Sequence, residues 1–575
     1  MENTIDYFNF TLKERKYIDK DVKGDKFLPL WKHYRKLKKI PLDSEENIIK
    51  FLEYFSELFE IIDENYIKRL IEKFAYTSIK NTIRLVWYFL RFGVWIYFKR
   101  IKIYKILTKN SIFQQLPDDK YGVLKKNINR ELELYSFKNY FKIIFELFYI
   151  NKYNTTYSKL TTKFLDKERT YQQIIFYLEN NDRSIREQAF ITGYNLFLHN
   201  SEKFNQIFNK LLKIRVKMAK SKGYNNYRDY MHDLKMRFDY TPQDSINFHK
   251  SIEEIVIPIC KKINSEKAKS LDIKEIRPWD TKFFFNVIPK GFNNIDELLE
   301  KMIKIFTKIK PEYGKYLEYM KNSNLLDLEN RKGKAPGGYT FSLKDRGSSF
   351  IFTNFTGQLR DLFTFAHEFG HTLHNFRVSN LGITQYKENP SESAELASMS
   401  MELIFLEHLE NIFDDQKTII QIKLYKLKNS ILFFPWCITI DAFQHWIYLN
   451  PNHSITERQK YFSELLDRFD TGINWKGLEY YKEIYWLPQP HIFSTPFYYI
   501  EYGMALLGAL AIYRNYLKDP QKTIEQYDQF LRLGNSKSLR ELYKTAGIEF
   551  NFSPEYIKEI IKFVENEIER LYSLL

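Results

Sequence analysis

His367 and His371 are separated by three residues, and Glu368 follows the first of them directly. On an α-helix, residues four apart lie on one face, about 6 Å apart along the axis, so both imidazoles can turn a ring nitrogen to one metal ion. Glu368 then falls beside the metal rather than on it, where a general base is needed to take a proton from an attacking water. The flanking Phe363, Phe365, Ala366, Phe369 and Leu373 are apolar, as a buried catalytic helix requires. Two chance histidines on an ordinary helix are a poor account of three matched positions. The pattern predicts a zinc site.

A third ligand has to come from elsewhere. His374 lies seven residues beyond His367, about 10 Å along a straight helix, too far for both to sit about 2 Å from one ion. It is expected to pack or to support the site indirectly. A metzincin would carry glycine where His374 stands and a third histidine where Arg377 stands, so that class is disfavoured. A turn-rich segment, 379–390, leads into a second predicted helix, 391–403. A carboxylate there would complete a His, His, Glu set and leave one coordination position open. Glu392, Glu395 and Glu402 all qualify on spacing.

Three further clusters carry polar or aromatic groups. Ahead of the histidine helix, the turn Lys334-Ala335-Pro336-Gly337-Gly338 and two β-prone runs, 339–343 and 348–355, read as a hairpin. Its strand edge could hold an extended peptide by main-chain hydrogen bonds; a hairpin that merely covers the core is the alternative. Late in the chain, Pro488 to Gly503 includes His491, Tyr498, Tyr499 and Tyr502. A helix opening near Pro496 would set Tyr499 and Tyr502 on one face, which by itself describes an aromatic core stripe. Ile440 to Tyr448, with Asp441, Gln444 and His445, reads as a buried, hydrogen-bonded helix.

The elements that must position these groups are mostly helical. The 575 residues are rich in aromatics and poor in glycine and proline, which describes an ordered, helix-rich globular chain. Length alone would allow three or four domains, but neither a Gly/Ser linker nor an internal repeat breaks the helical pattern. Residues 1–200 form a run of amphipathic helices without a catalytic pattern, and 201–575 carry the candidate chemistry. Cys260 and Cys437 stand far apart, which excludes a disulfide framework and favours a reducing compartment.

The net charge of +16 is spread among acidic residues without any nucleic-acid signature, so nucleic acid is not an expected partner. The opening Met1-Glu2-Asn3-Thr4-Ile5-Asp6-Tyr7 carries acids where an export signal needs positive charge, and a cytoplasmic location is expected. Residues 85–98 are strongly apolar but too short for a span and centred on Arg91. A buried helix is expected there rather than membrane insertion, with an interfacial helix between the two readings.

Taken together, the chain resembles the thimet oligopeptidase and oligoendopeptidase F family of zinc metallopeptidases, on the oligoendopeptidase F side. The residues that carry the match are Phe365 to His371, Ala394 to Ser398, Asp441 to Trp446, and His491 through Tyr502, with weaker echoes at Gly223-Tyr224, Pro278-Trp279-Asp280 and Gly337-Gly338-Tyr339. The match covers about 200 to 560. The resemblance implies a mainly α, two-lobed helical clamshell of the zincin type with a small β-sheet beside the active-site helix. It implies one Zn2+ per chain held by His367, His371 and Glu395, with Glu368 as general base. His491, Tyr499 and Tyr502 are implied as donors to the developing oxyanion, with Tyr498 an alternative. Gly338, Tyr339 and Tyr498 are implied to bind substrate.

The expected activity is therefore zinc-dependent hydrolysis of internal bonds in short, unstructured oligopeptides. A related carboxypeptidase or aminopeptidase would share the two histidines but needs a group that grips a peptide terminus, and no Gly-x-Met-Glu-Asn signal for an aminopeptidase is present. A peptide-binding protein without catalysis would have no need of Glu368.

Overall fold

A computed structural model of the chain describes residues 13–283, 291–331, 333–335 and 337–575. The opening segment Met1 to Tyr7 and Pro336 of the turn before the hairpin lie outside the described residues. Among the described residues the chain is mainly α, as expected, and carries two small sheets where one was expected.

The chain forms two compact units, each assembled from three stretches. The first collects Met1–Glu133, Pro289–Ile419 and Gly508–Phe550. Its N-terminal part is built on helix α1 (Glu45–Ala75), capped by the Ser44 side chain, followed by α2 (Ile79–Tyr88), a π-helical turn (Phe89–Gly93) and α3 (Val94–Leu107). The apolar stretch 85–98 thus crosses from α2 into α3. It packs only one side into the core: Leu85, Tyr88, Phe92 and Ile96 are buried, while Val86, Trp87 and Leu90 are exposed. The expectation of a buried helix holds for that one side alone. Among the described residues no helix is long and apolar enough to cross a membrane.

The second unit collects Leu134–Ile288, Ile420–Leu507 and Asn551–Leu575. It includes α4 (Phe137–Ser158), α5 (Ser201–Lys220) and α6 (Pro242–Ser270), the last opened by a reciprocal cap between Thr241 and Asp244. The run of helices expected over the first 200 residues is interrupted by a hairpin, β1 (Thr161–Phe164) with β2 (Lys167–Thr170). Its turn residues Leu165 and Asp166 both have positive φ, 48° and 59°. Leucine is a rare choice there, so the usual Asn-Gly or Asp-Gly turn signal is missing from the sequence. Both cysteines are buried and unbridged.

The second sheet lies in the first unit: β3 (Leu326–Glu329), β4 (Tyr339–Leu343) and β5 (Ser348–Phe355), in the order β3-β5-β4. β4 and β5 are the predicted hairpin with the predicted bounds, paired from Tyr339↔Phe352 to Leu343↔Ser348, and Gly347 takes the positive φ of the turn. β5 then feeds α7 (Leu359–Val378), the histidine helix, which is followed by α8 (Ser391–Phe405).

Candidate metal centre and active site

α7 begins at a deliberate boundary. Asp361 accepts hydrogen bonds from the amides of Thr356 and Gln358, satisfying donors that a helix start leaves open. Its apolar side packs Phe365 and Phe369 against Phe306. Arg377 anchors the far end by an ion pair with buried Asp528 at 2.6 Å. Gly370 decides how close α8 can come: a Cβ there would stand 2.6 Å from the Cα of Ser398. The missing side chain lets the two helix backbones touch, which carries Glu395 up to the histidines.

The Oε2 atom of Glu395 lies 3.4 Å from Nε2 of His367 and 3.7 Å from Nε2 of His371. Ligand atoms of all three fall within 4.8 Å of one another. Ligands about 2.0–2.2 Å from one tetrahedral ion are themselves roughly 3.3–3.6 Å apart, so this set fits a metal. Glu402, weighed as a ligand on spacing, sits one layer behind: its Oε1 is 2.8 Å from Nδ1 of His367. A carboxylate on the far nitrogen fixes the tautomer that presents Nε2 to an ion. Glu392 is buried on the same helix but is not part of the group. His374 is 1% exposed and packs at a tilt against Phe530, one of the two roles expected of it.

The electrostatics match a cation site. Burial works against charge on His367, but its hydrogen bond to the Glu402 carboxylate and the charges of Glu402, Glu395 and Glu368 outweigh it and hold the ring up to about 9. Burial, with the neighbouring charge of His367, pushes His371 down to about 3. Three carboxyl groups, Glu368, Glu395 and Glu402, thus surround two imidazoles. A divalent ion would offset that excess of acidic groups.

Glu368 is 6% exposed, and burial raises its carboxyl above the ordinary range. The hydroxyl of Thr340 on β4 donates to its Oε2 at 2.6 Å. Gly338 passes so close that a Cβ would lie 3.2 Å from Glu368 Oε1. Tyr339 follows it, 42% exposed. The hairpin and the base therefore share one spot. Thr340 was not singled out from the sequence; an isolated strand threonine gives no signal there.

Pro490–Ser494 of the second unit is a short helix, α10, and Tyr499–Lys518 is α11, of which Tyr499–Leu507 belongs to that unit. His491, Tyr498, Tyr499 and Tyr502 form one cluster, with the His491 ring 5.8, 5.1 and 5.8 Å from the three tyrosine rings in turn. Gln489 binds them together: its amide nitrogen is 2.8 Å from His491 Nδ1, and its carbonyl accepts from the Tyr499 hydroxyl at 3.0 Å. If Gln489 donates to Nδ1, the His491 proton resides on Nε2, which is then a donor. Tyr499 is 8% exposed and its phenol is raised by burial; Tyr498 and Tyr502 are less buried.

The cluster is shaped by the turn before it. Phe497 has φ 61°, a left-handed conformation that costs a bulky residue about 1–3 kcal/mol. Gln444 accepts the Phe497 amide hydrogen bond at 2.8 Å, and Arg237 donates to its carbonyl at 2.5 Å while pairing with Glu501 at 2.6 Å. Gln444 belongs to the polar-aromatic stretch of α9 (Gln416–Leu449), where Asp441 also meets His249 at 2.8 Å and His445 at 3.2 Å.

Residues 176–561 match the model of Peptidase family M3. The chain belongs to that family. Among its relatives, oligopeptidase PepF of Bacillus subtilis is 24% identical over 71% of this chain, and an oligoendopeptidase F homolog of Borreliella burgdorferi is 25% identical over 65%. The matched stretches span less than two thirds of those relatives, 60% and 63% of their lengths. Among solved structures, PZ peptidase A with an inhibitor superposes with a TM-score of 0.87 at 24% identity, covering 94% of this chain and 96% of that one. Oligoendopeptidase F from Enterococcus faecium gives 0.62 at 16% identity, covering 96% and 99%. As an M3 member the chain carries its metal-ligand candidates and Glu368 inside the matched region, whereas α1, α2 and α3 lie before it.

Proposed function

We propose that the protein is a zinc-dependent endopeptidase that hydrolyses internal bonds of short, unstructured oligopeptides. The observation that carries this is the placement of Glu368: buried, held by Thr340, and next in sequence to one of three groups that fit a metal. A site that only stored metal would have no use for a positioned base at that spot.

His367, His371 and Glu395 would hold one Zn2+ per chain, with Glu402 orienting His367. Bound there, zinc supplies Lewis acidity to the scissile carbonyl and makes a water acidic enough to ionise near neutral pH. Glu368 takes the proton of the attacking water and returns it to the leaving amine. His491 through Nε2, and Tyr498 or Tyr502 through a phenol, are the candidate donors to the oxyanion. Tyr499 directs its hydroxyl to Gln489, so it serves by holding Gln489 and, through it, His491. β4 is the edge of its sheet, and an extended peptide lying along Gly338 and Tyr339 would bring its backbone beside Glu368. Short peptides meet that requirement, while a folded protein would first have to unfold locally. A cytoplasmic location accords with the two unbridged cysteines.

The test is mass spectrometry of products from peptides blocked at both ends, with and without a chelator. Internal cleavage that stops on chelation is expected. Removal of terminal residues alone, from unblocked peptides, would move the assignment to an exopeptidase.

A further inference from the structure

A helix as short as α10 leaves most of its carbonyls without a helical partner. Those from Pro490 to Phe493 are each taken individually. The Thr495 amide closes on His491 O at 2.9 Å, and the Ser494 hydroxyl donates to Pro490 O at 2.9 Å. The carbonyls of Ile492 and Phe493, the two residues that follow His491, both accept from the guanidinium of Arg215 on α5, at 3.2 and 2.5 Å.

Arg215 is 0% exposed, and its remaining bonds reach the other end of the cluster. Nε pairs with Glu146 of α4 at 2.7 Å, which supplies the counter-charge, and Nη1 donates to the Tyr448 hydroxyl at 2.8 Å near the end of α9. The Tyr448 ring packs on Phe497, with centroids 5.4 Å apart, so one guanidinium is joined both to the helix bearing His491 and to the left-handed residue before Tyr498. Phe493 stacks with Tyr153 and Trp486, with centroids 3.9 and 5.6 Å apart. Those rings fix where the short helix lies. A planar fork on two successive carbonyls fixes its rotation, and with it the direction of the His491 side chain. Burying a cation is unfavourable, and well-packed apolar residues would stabilise the same space as well or better, which argues that Arg215 is there for what it orients.

We propose that Arg215 is a positioning residue for the candidate oxyanion donors. It touches neither substrate nor the reacting atoms. Its fork keeps the backbone under His491 in register with the turn at Phe497, while Gln489 holds the ring at Nδ1, so that His491, Tyr498 and Tyr502 are preorganised together. An ammonium in its place would keep the charge and lose the fork. The proposal rests on the peptidase reading above, in which His491 serves the oxyanion.

The test is a double-mutant cycle on kcat with a doubly blocked peptide, using Arg215→Lys, His491→Ala and the two combined. Misplacing a donor by about 1 Å is worth up to about 10² in rate. Arg215→Lys is therefore expected to lower kcat by about 10–100-fold with KM nearly constant, and by less than about threefold once His491 is alanine. Tyr448→Phe removes one acceptor of the guanidinium and keeps the ring; it should show the same pattern at smaller size and decides the matter if Arg215→Lys fails to fold. Thermal melts and metal analysis accompany each variant. A second readout needs no turnover: in protein labelled with nitrogen-15 histidine, the His491 ring is assigned by its absence in His491→Ala. One sharp signal protonated at Nε2 is expected in wild type, and a broadened or mixed-tautomer signal in Arg215→Lys and Tyr448→Phe. Equal rate losses in both His491 backgrounds, an effect on KM alone, or an unchanged His491 signal would make Arg215 a packing residue and overturn the proposal. Wild-type kcat in His491→Ala would remove the oxyanion reading, and no cleavage by wild type would remove the peptidase reading; in either case the His491 signal alone decides whether Arg215 positions the ring.

Discussion

The histidine helix of the first unit and the tyrosine segment of the second hold their functional groups by different means. α7 and α8 are regular helices whose candidate ligand positions follow from helical geometry and from one missing side chain at Gly370. The His491 to Tyr502 segment is a short helix, a left-handed residue at Phe497 and the start of another helix, kept in shape by Gln444, Arg237 and Gln489. Regular structure suits groups that must converge on a point about 2 Å away. Irregular structure suits donors that must turn several side chains towards a charge absent from the ground state.

The largest effects should separate the two regions by what they leave intact. If His491 and Tyr502 serve the oxyanion as proposed, His491→Ala and Tyr502→Phe are each expected to lower kcat by about 10²–10³ without metal loss. Steady-state kinetics with parallel metal analysis checks this. A rise in KM at unchanged kcat would return the cluster to a purely binding or packing role.

Next in size is the support of the metal side. Glu402→Gln should weaken metal retention by about 10–100-fold, because it loosens His367 without removing a ligand. Competition with a chromophoric chelator reads the affinity directly. Metal loss as complete as that of Glu395→Gln would make Glu402 a ligand and undo the layering of the two glutamates.

Thr340→Val is expected to lower kcat about tenfold with KM nearly constant, and Thr340→Ser to restore it, because only the hydroxyl holds the Glu368 carboxylate. Equal loss in both variants would show that the threonine matters for packing alone. The smallest effect falls on the tyrosine side: Gln444→Leu should lower stability by about 1–3 kcal/mol in chemical denaturation, having left the Phe497 amide unpaired in a strained turn. A more stable variant would mean that the left-handed turn stands without its partner.

These differences also explain what could be read from the sequence. The histidine pair, the β4–β5 hairpin and the helix bearing Glu395 were legible because each rests on a local period: four for the helix face, two for the strands. Glu395 could not be separated from Glu392 and Glu402 by spacing, since the choice depends on how near α8 approaches at Gly370. Thr340, Gln489 and Arg237 were not legible, because each contact joins residues whose pairing no period records. The β1–β2 hairpin was missed for its Leu165-Asp166 turn. In the stretch 85–98 composition alone suggested burial, whereas the exposed side of α2 becomes visible only when the partners of its inner side are known.

The most direct test of the central claim joins metal content to turnover in three proteins: wild type, Glu395→Gln and Glu368→Gln. Each is purified without added metal, measured by inductively coupled plasma mass spectrometry, and assayed on a doubly blocked peptide. The account predicts about one zinc per chain and internal cleavage for wild type. It predicts little metal and little cleavage for Glu395→Gln, and full metal with turnover lowered by about 10²–10⁴ or more for Glu368→Gln. Wild-type turnover in Glu368→Gln, or metal retained in full by Glu395→Gln, would contradict it.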